Sequence, residues 1–182
     1  MLASHDVTLQ PATVADAALL TNLLELYVYD LSEIFPVTIG ADGRFGYPKL
    51  SLYWSEPSTH WAFLIRTSLQ IAGFALVTRG SPATTDPQDL DLAEFFVLRS
   101  YRRSGVGRSA AFALWDRLPG RWIVRVSEAH RTGLRFWERV IEAYTHGTAS
   151  RTVHPGQHHM FCVFSFRSDA SSEQPMFRPT KG

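Results

Sequence analysis

The sequence predicts an α/β domain built on a mixed sheet with helices against it, and three stretches predict it. Leu92 to Leu98 is an apolar run rich in aromatic and branched residues, as suits a buried strand. After a turn rich in Gly and Arg, residues from Gly107 onward place Ala110, Ala111, Leu114, Trp115 and Leu118 on one helical face. Trp122 to Val126 then reads as a strand beyond Pro119-Gly120, and the helix crossing between makes these two strands parallel. Trp61–Thr67 and Ile71–Thr78, joined at Ser68-Leu69-Gln70, form an antiparallel hairpin.

The rest of the chain fits around these. At 182 residues, 45% hydrophobic and 19% charged, it is expected to be one globular domain over residues 1–167, with a Ser/Pro-rich tail over 168–182. Val7 to Gln10 alternates as a first strand. Thr13 and Asp16 form a capping-box variant before a helix carrying Leu19, Leu20, Leu23, Leu24 and Tyr27 on one side. A loop with Gly40, Gly43, Gly46 and Pro48 follows, studded with Phe45, Tyr47, Tyr53 and Trp54. These aromatics suit a binding wall and a folded-back satellite core equally well. Residues 80–88 read as a surface loop. A second long helix carries Leu134, Trp137, Val140, Ile141 and Tyr144 inward, and two closing strands are expected near Thr148–Val153 and Met160–Phe166.

The turn Arg99-Ser-Tyr-Arg-Arg-Ser-Gly-Val-Gly-Arg is built for an anion. It has four arginines and no acid, and it opens into a helix whose first N–H groups lack acceptors and whose end carries partial positive charge. A Walker-type loop is excluded, because the closing Lys and Ser/Thr are missing. Gly105-Val106-Gly107-Arg108-Ser109-Ala110 formally fits the dinucleotide pattern G-x-G-x-x-A, and Glu128 lies where a ribose-binding acid would sit. Against that reading, Ser100 to Ser104 separate the first Gly from the strand, and the loop lies past the middle of the chain.

Val97 followed by Arg102-Arg103-Ser104-Gly105-Val106-Gly107 (R-x-x-G-x-G) resembles the acetyl-CoA pyrophosphate loop of the GNAT superfamily of N-acetyltransferases. His130-Arg-Thr-Gly133-Leu-Arg-Phe136-Trp137 has the layout of that family's N-x-x-A-x-x-F-Y segment in altered form. The similarity extends over residues 7–166. It implies a mostly antiparallel central sheet with one splayed parallel pair, flanked by helices, and an enzyme using acetyl-CoA as co-substrate. The residues it assigns to acetyl-CoA are Phe95, Phe96, Val97, Arg102, Arg103, Ser104, Gly105, Val106, Gly107, Arg108, His130 and Trp137, with the Val97 N–H facing the thioester oxygen. The acceptor implied is a primary amine of a small molecule or peptide, attacked in a ternary complex, and the resemblance admits a homodimer.

Two carboxylates lie on the central strand. Glu94, in the run Ala93-Glu94-Phe95-Phe96, is costly to bury unless paired or used, and burial would raise its pKa toward that of a general base. The alternative is pairing with an Arg or facing solvent. Asp91, at the strand's edge, is the second candidate. The family's usual proton donor is replaced by Trp137, whose indole N–H is too weak an acid. Tyr144, on the same helical side, or water is the substitute, and Trp137 also favours a non-catalytic acyl-CoA sensor.

Net charge is +1, but residues 1–98 carry eleven acids and four bases, whereas 99–139 carry ten arginines and three acids. Nucleic acid and membrane partners are not expected from this balance or from the apolar runs. The resemblance places Tyr29, Asp30, Glu33 and Tyr47 on one wall of the acceptor cleft. Asp30, Glu33 and Asp42, with Asp91 and Glu94 at the floor, would make that cleft negative and favour a cationic amine, unless these acids merely solvate a loop. His154, His158 and His159 lie in a polar loop with no Cys or carboxylate beside them, so no metal site is expected. Cys162, the single cysteine, reads as core in a reducing compartment, the cytoplasm.

Overall fold

In the computed structural model, which describes residues 6–68 and 70–169, a seven-stranded sheet carries helices on both faces. The strands are β1 (Val7–Pro11), β2 (His60–Thr67), β3 (Gln70–Arg79), β4 (Leu90–Val97), β5 (Gly120–Ser127), β6 (Ser150–Pro155) and β7 (Met160–Ser168), in the spatial order β1-β2-β3-β4-β5-β7-β6. Every neighbouring pair is antiparallel except β4 and β5. The helices are α1 (Ala17–Leu31), α2 (Leu52–Ser55), α3 (Val106–Arg117) and α4 (Arg131–Thr145). The short α2 falls where the sequence suggests only loop. Tyr53 and Leu50 anchor that stretch in the core, so its aromatics belong in part to the satellite-core reading.

The Asp16 carboxylate accepts both the Thr13 amide (2.8 Å) and hydroxyl (3.1 Å), so the capping box forms, with a turn of 3₁₀ helix before α1. Helices α3 and α4 cover one face, packing Leu114, Trp115, Trp137 and Ile141 on Trp122, Val124 and Phe164. On the other face, α1 and α2 pack Leu20, Leu24 and Tyr53 on Leu64, Phe74 and Phe96. Cys162 is fully buried in the first of these clusters. The last strand runs on through Ser168, one residue into the expected tail, and residues 170–182 of that tail lie outside the described residues. Among the described residues no helix is long and apolar enough to cross a membrane.

Two irregularities in β4 position the site. Strands β4 and β5 are registered only at Leu90↔Trp122 and Asp91↔Ile123, and beyond that they part. Opposite β3, Glu94 pairs with Leu76 but Leu92 with Val77, so Ala93 is the extra residue of a bulge. A regular strand would put residues 91 and 94 on opposite faces. The bulge turns both onto the α1 face, while Leu90 and Leu92 stay in the α3/α4 core.

Candidate active site

A cleft of ≈ 280 Å³ opens where β4 and β5 diverge, lined among others by Glu94, Phe95, Arg125, His130 and Trp137. Glu94 accepts hydrogen bonds from the Tyr27 hydroxyl (2.5 Å) on α1 and the Tyr47 hydroxyl (2.9 Å) from the Gly-rich loop. The loop is itself fixed from α1: Glu25 accepts the amides of Phe45 (2.8 Å) and Gly46 (3.0 Å), which delivers Tyr47 inward. Burial raises the Glu94 carboxyl above its ordinary range. The two tyrosine bonds and the charge of Arg125 offset part of that rise. Both tyrosine hydroxyls are pushed well above their usual value, first by burial and then by the Glu94 charge, so they stay protonated donors.

Asp91 is the second residue of β4, near the strand's N-terminal end as expected. It is 1% exposed and held by a two-pronged bond from Arg125, Nε to Oδ1 at 2.9 Å and Nη2 to Oδ2 at 2.7 Å, with the Ser81 hydroxyl at 2.6 Å. Both Asp91 oxygens are thus taken, by a charged guanidinium and a hydroxyl. Tyr144 is also turned elsewhere. Its hydroxyl donates to Asp116 (2.7 Å), its ring packs on Trp115 and Phe112, and it does not line the cleft.

The Gly/Arg loop leads directly into α3, which opens at Val106, one residue before the expected start. Gly105 has φ of +89°, and α3 starts beside it, so the amides from Gly105 to Arg108 precede the first helical bond, Ser109 N–H to Gly105 (3.0 Å). A Cβ built at Gly105 meets nothing within 4 Å, so the demand for glycine there comes from the left-handed backbone. Gly105→Val should cost about 1–2 kcal/mol of stability and reshape the amides ahead of α3. We expect a folded variant with acetyl-CoA affinity down by an order of magnitude in calorimetric titration, and unchanged affinity would remove the loop from the binding site.

Arg102 is engaged within the chain. Its Nε donates to the Val97 carbonyl (2.7 Å) and its Nη2 pairs with Asp30, which also takes two bonds from Arg99. Burial would raise the Asp30 carboxyl, but the two guanidinium groups hold it below the usual range. Arg103 is exposed beside Gly105, and Arg108 lies over the Phe112 ring at 5.1 Å. The Leu98 amide donates to Ala72 of β3 (2.8 Å), so alternation turns the Val97 N–H to the opposite edge, toward the gap. Phe95 meets Trp137 edge-on at 5.0 Å, whereas the Phe96 side chain is buried against Phe74 and Tyr27.

His130 precedes α4 in the cleft wall, and burial, then the charge of Arg102, lowers its pKa. A Cβ at Gly133 would lie 2.5 Å from the His130 ring. The His130 ring therefore occupies the space that a side chain at position 133 would need. Tyr29 is 64% exposed, Glu33 is exposed, and Asp42 accepts the Arg44 amide in the loop away from Glu94. Of the four residues expected on the acceptor wall, only Tyr47 reaches Glu94. His159 bonds the Ile34 carbonyl (3.0 Å), and no metal-holding group is found among the described residues.

Sequence reasoning missed the places of Tyr27 and Arg125 at this site. A signal existed for the first: a tyrosine on an inward helical face needs a hydroxyl partner, and a glutamate in an apolar strand needs donors.

No protein-family model matches the chain, and no curated protein matches it in sequence. Solved structures do match in fold. An acetyltransferase from Thermus thermophilus superposes with a TM-score of 0.60 at 17% identity, over 88% of this chain and 96% of that one. A spermidine N-acetyltransferase from Vibrio cholerae, in complex with CoA and spermine, gives 0.61 at 10% identity over 89% and 95%. The aminoglycoside acetyltransferase AAC(6')-Ib, with coenzyme A and kanamycin, gives 0.62 at 15% over 89% and 95%. A mostly antiparallel sheet with one parting parallel pair also sets aside the doubly wound dinucleotide alternative. The chain has the GNAT acetyltransferase fold.

Proposed function

We propose that this protein is an acetyl-CoA-dependent N-acetyltransferase that acetylates a primary amine of a small molecule or peptide by direct attack in a ternary complex. The observation that carries the reading is Glu94: a half-buried carboxylate with raised pKa, aimed by two tyrosines into the cleft where β4 leaves β5. The residues present fit acetyl-CoA, with the α3 amides and Arg103 and Arg108 for its phosphates and the freed strand edges for its amide-bearing arm. Acetyl-CoA would supply an acyl carbon activated as a thioester.

Glu94 takes a proton from the bound ammonium, which frees the nitrogen lone pair to attack the acyl carbon. The Val97 N–H faces the gap and donates to the oxygen on which charge develops. A C–N bond forms and the C–S bond breaks. The second nitrogen proton accompanies the departing sulfur through water, because Trp137 donates no proton and Tyr144 lies elsewhere. The products are the N-acetyl amine, CoA thiol and one proton released from Glu94 to solvent. The free cysteine suits a reducing compartment such as the cytoplasm.

Melting the protein with acetyl-CoA, CoA, NAD and NADP tests the ligand class, and thiol release with an amine panel tests the chemistry. Stabilisation by acetyl-CoA and CoA with amine-dependent thiol release is expected. Stabilisation with no thiol release would favour the sensor reading that Trp137 suggests, and a response to NAD alone would overturn both.

A further inference from the structure

The sequence suggests an acidic cleft, but the structure leaves little of that acid available. Asp91 is neutralised by Arg125, Asp30 by Arg99 and Arg102, and Asp42 lies on the far side of the Gly-rich loop. Glu33 stands in water within electrostatic reach of Arg99 and His130. One carboxylate, Glu94, remains to meet a cation in the cleft, and the Arg125 guanidinium lines the same space. A polyamine or aminoglycoside needs an anionic partner for each further ammonium, and desolvating an unpaired charge is expensive.

The remaining wall is aromatic. Phe35, just beyond α1, and Phe161, at the start of β7, are near-parallel rings with centroids 6.4 Å apart, and both line the cleft together with Leu31 and Tyr27. His159 meets Phe35 edge-on at 5.6 Å, and its Nε2–H donates to the Ile34 carbonyl. This ties the β6–β7 turn to the end of α1 and holds the two phenylalanines together. An apolar surface fixed beside a single carboxylate matches a ligand with one charge and an apolar body.

We propose that the acceptor is a monoamine on an uncharged aromatic or apolar body, its nitrogen at Glu94 and its body against Phe35 and Phe161, and that polycationic amines are poor substrates. This rests on the acetyltransferase reading and narrows it. It sets the chain apart from the two neighbours whose structures hold spermine and kanamycin.

The test is kcat/KM, by thiol release from acetyl-CoA, for 2-phenylethylamine, hexylamine, spermidine and kanamycin at two salt concentrations. 2-Phenylethylamine should exceed spermidine and kanamycin by about tenfold or more, with little salt dependence, since one buried contact is screened far less than a field. Phe35→Leu keeps an apolar surface but removes the ring. It should lower kcat/KM for 2-phenylethylamine by about 3–10-fold, the size of a lost aromatic pairing, chiefly through KM, while hexylamine changes little. Spermidine or kanamycin as best substrate, or equal losses for both monoamines in Phe35→Leu, would overturn the inference and leave the acetyltransferase reading standing. Acetyl-CoA binding with no amine turned over would overturn that reading and this inference together.

Discussion

Glu94→Gln should lower turnover by about 10²–10⁴-fold, the usual worth of a positioned general base, with acetyl-CoA affinity hardly moved. The amide keeps the size of the side chain and can still accept from one tyrosine, so lost basicity is the main change. In the parent, kcat/KM should rise with pH through an apparent pKa above the ordinary glutamate value, because the base works as the carboxylate while burial favours the acid. That limb should vanish in the variant. Stability carries the same signature. A carboxyl whose folded pKa is raised contributes stability below its unfolded pKa, and the contribution is lost as pH rises through the folded value. The melting temperature of Glu94→Gln relative to the parent should therefore climb over that pH window. Full activity with the limb intact would place the base elsewhere.

Arg125→Ala should destabilise the fold by about 3–5 kcal/mol, because it leaves the Asp91 carboxylate buried without its counter-charge. Asp91 is 1% exposed and would keep the Ser81 hydroxyl, a neutral donor, in place of a guanidinium. Arg125→Lys keeps a charge but not the fork that binds both Asp91 oxygens, so a smaller loss is expected. The double replacement Asp91→Leu with Arg125→Met should recover much of the stability, since packed apolar residues often replace a buried ion pair at little cost. Urea midpoints for the three variants check this. A loss below about 1 kcal/mol in Arg125→Ala, the worth of an exposed pair, would show that the pair is solvated.

Much of the fold was legible because its signals are local. The run from Leu92 and the α3 periodicity predict a strand and a helix within a residue or two of those found, with the Gly/Arg turn between them. The hairpin turn and the capping box were equally local. The site was legible only in part, because its geometry depends on one inserted residue. Nothing in Leu-Ala-Glu announces that Ala93 bulges, since a bulge is set by how β3 pairs across from it. Without it, Asp91 and Glu94 cannot be placed on one face, nor Arg125 assigned to Asp91. Charges misled for a related reason. Asp30 and Arg102 lie 72 residues apart, so counting acids along the helix end could not reveal that they cancel. Tyr47 and Glu94 were each identified, but the bond between them needs the loop that Glu25 fastens.

The early parting of β4 and β5 also has a mechanical side. The sheet is two blocks of antiparallel strands, β1 to β4 and β5-β7-β6, joined along a seam only two residue pairs long. On one face α3 and α4 span the seam with continuous apolar packing, and the ion pairs Arg125–Asp91 and Arg121–Asp89 also bridge it. The softest deformation of such a body is a hinge that widens the wedge toward α1, and a molecule filling the wedge acts as a spar that stiffens it.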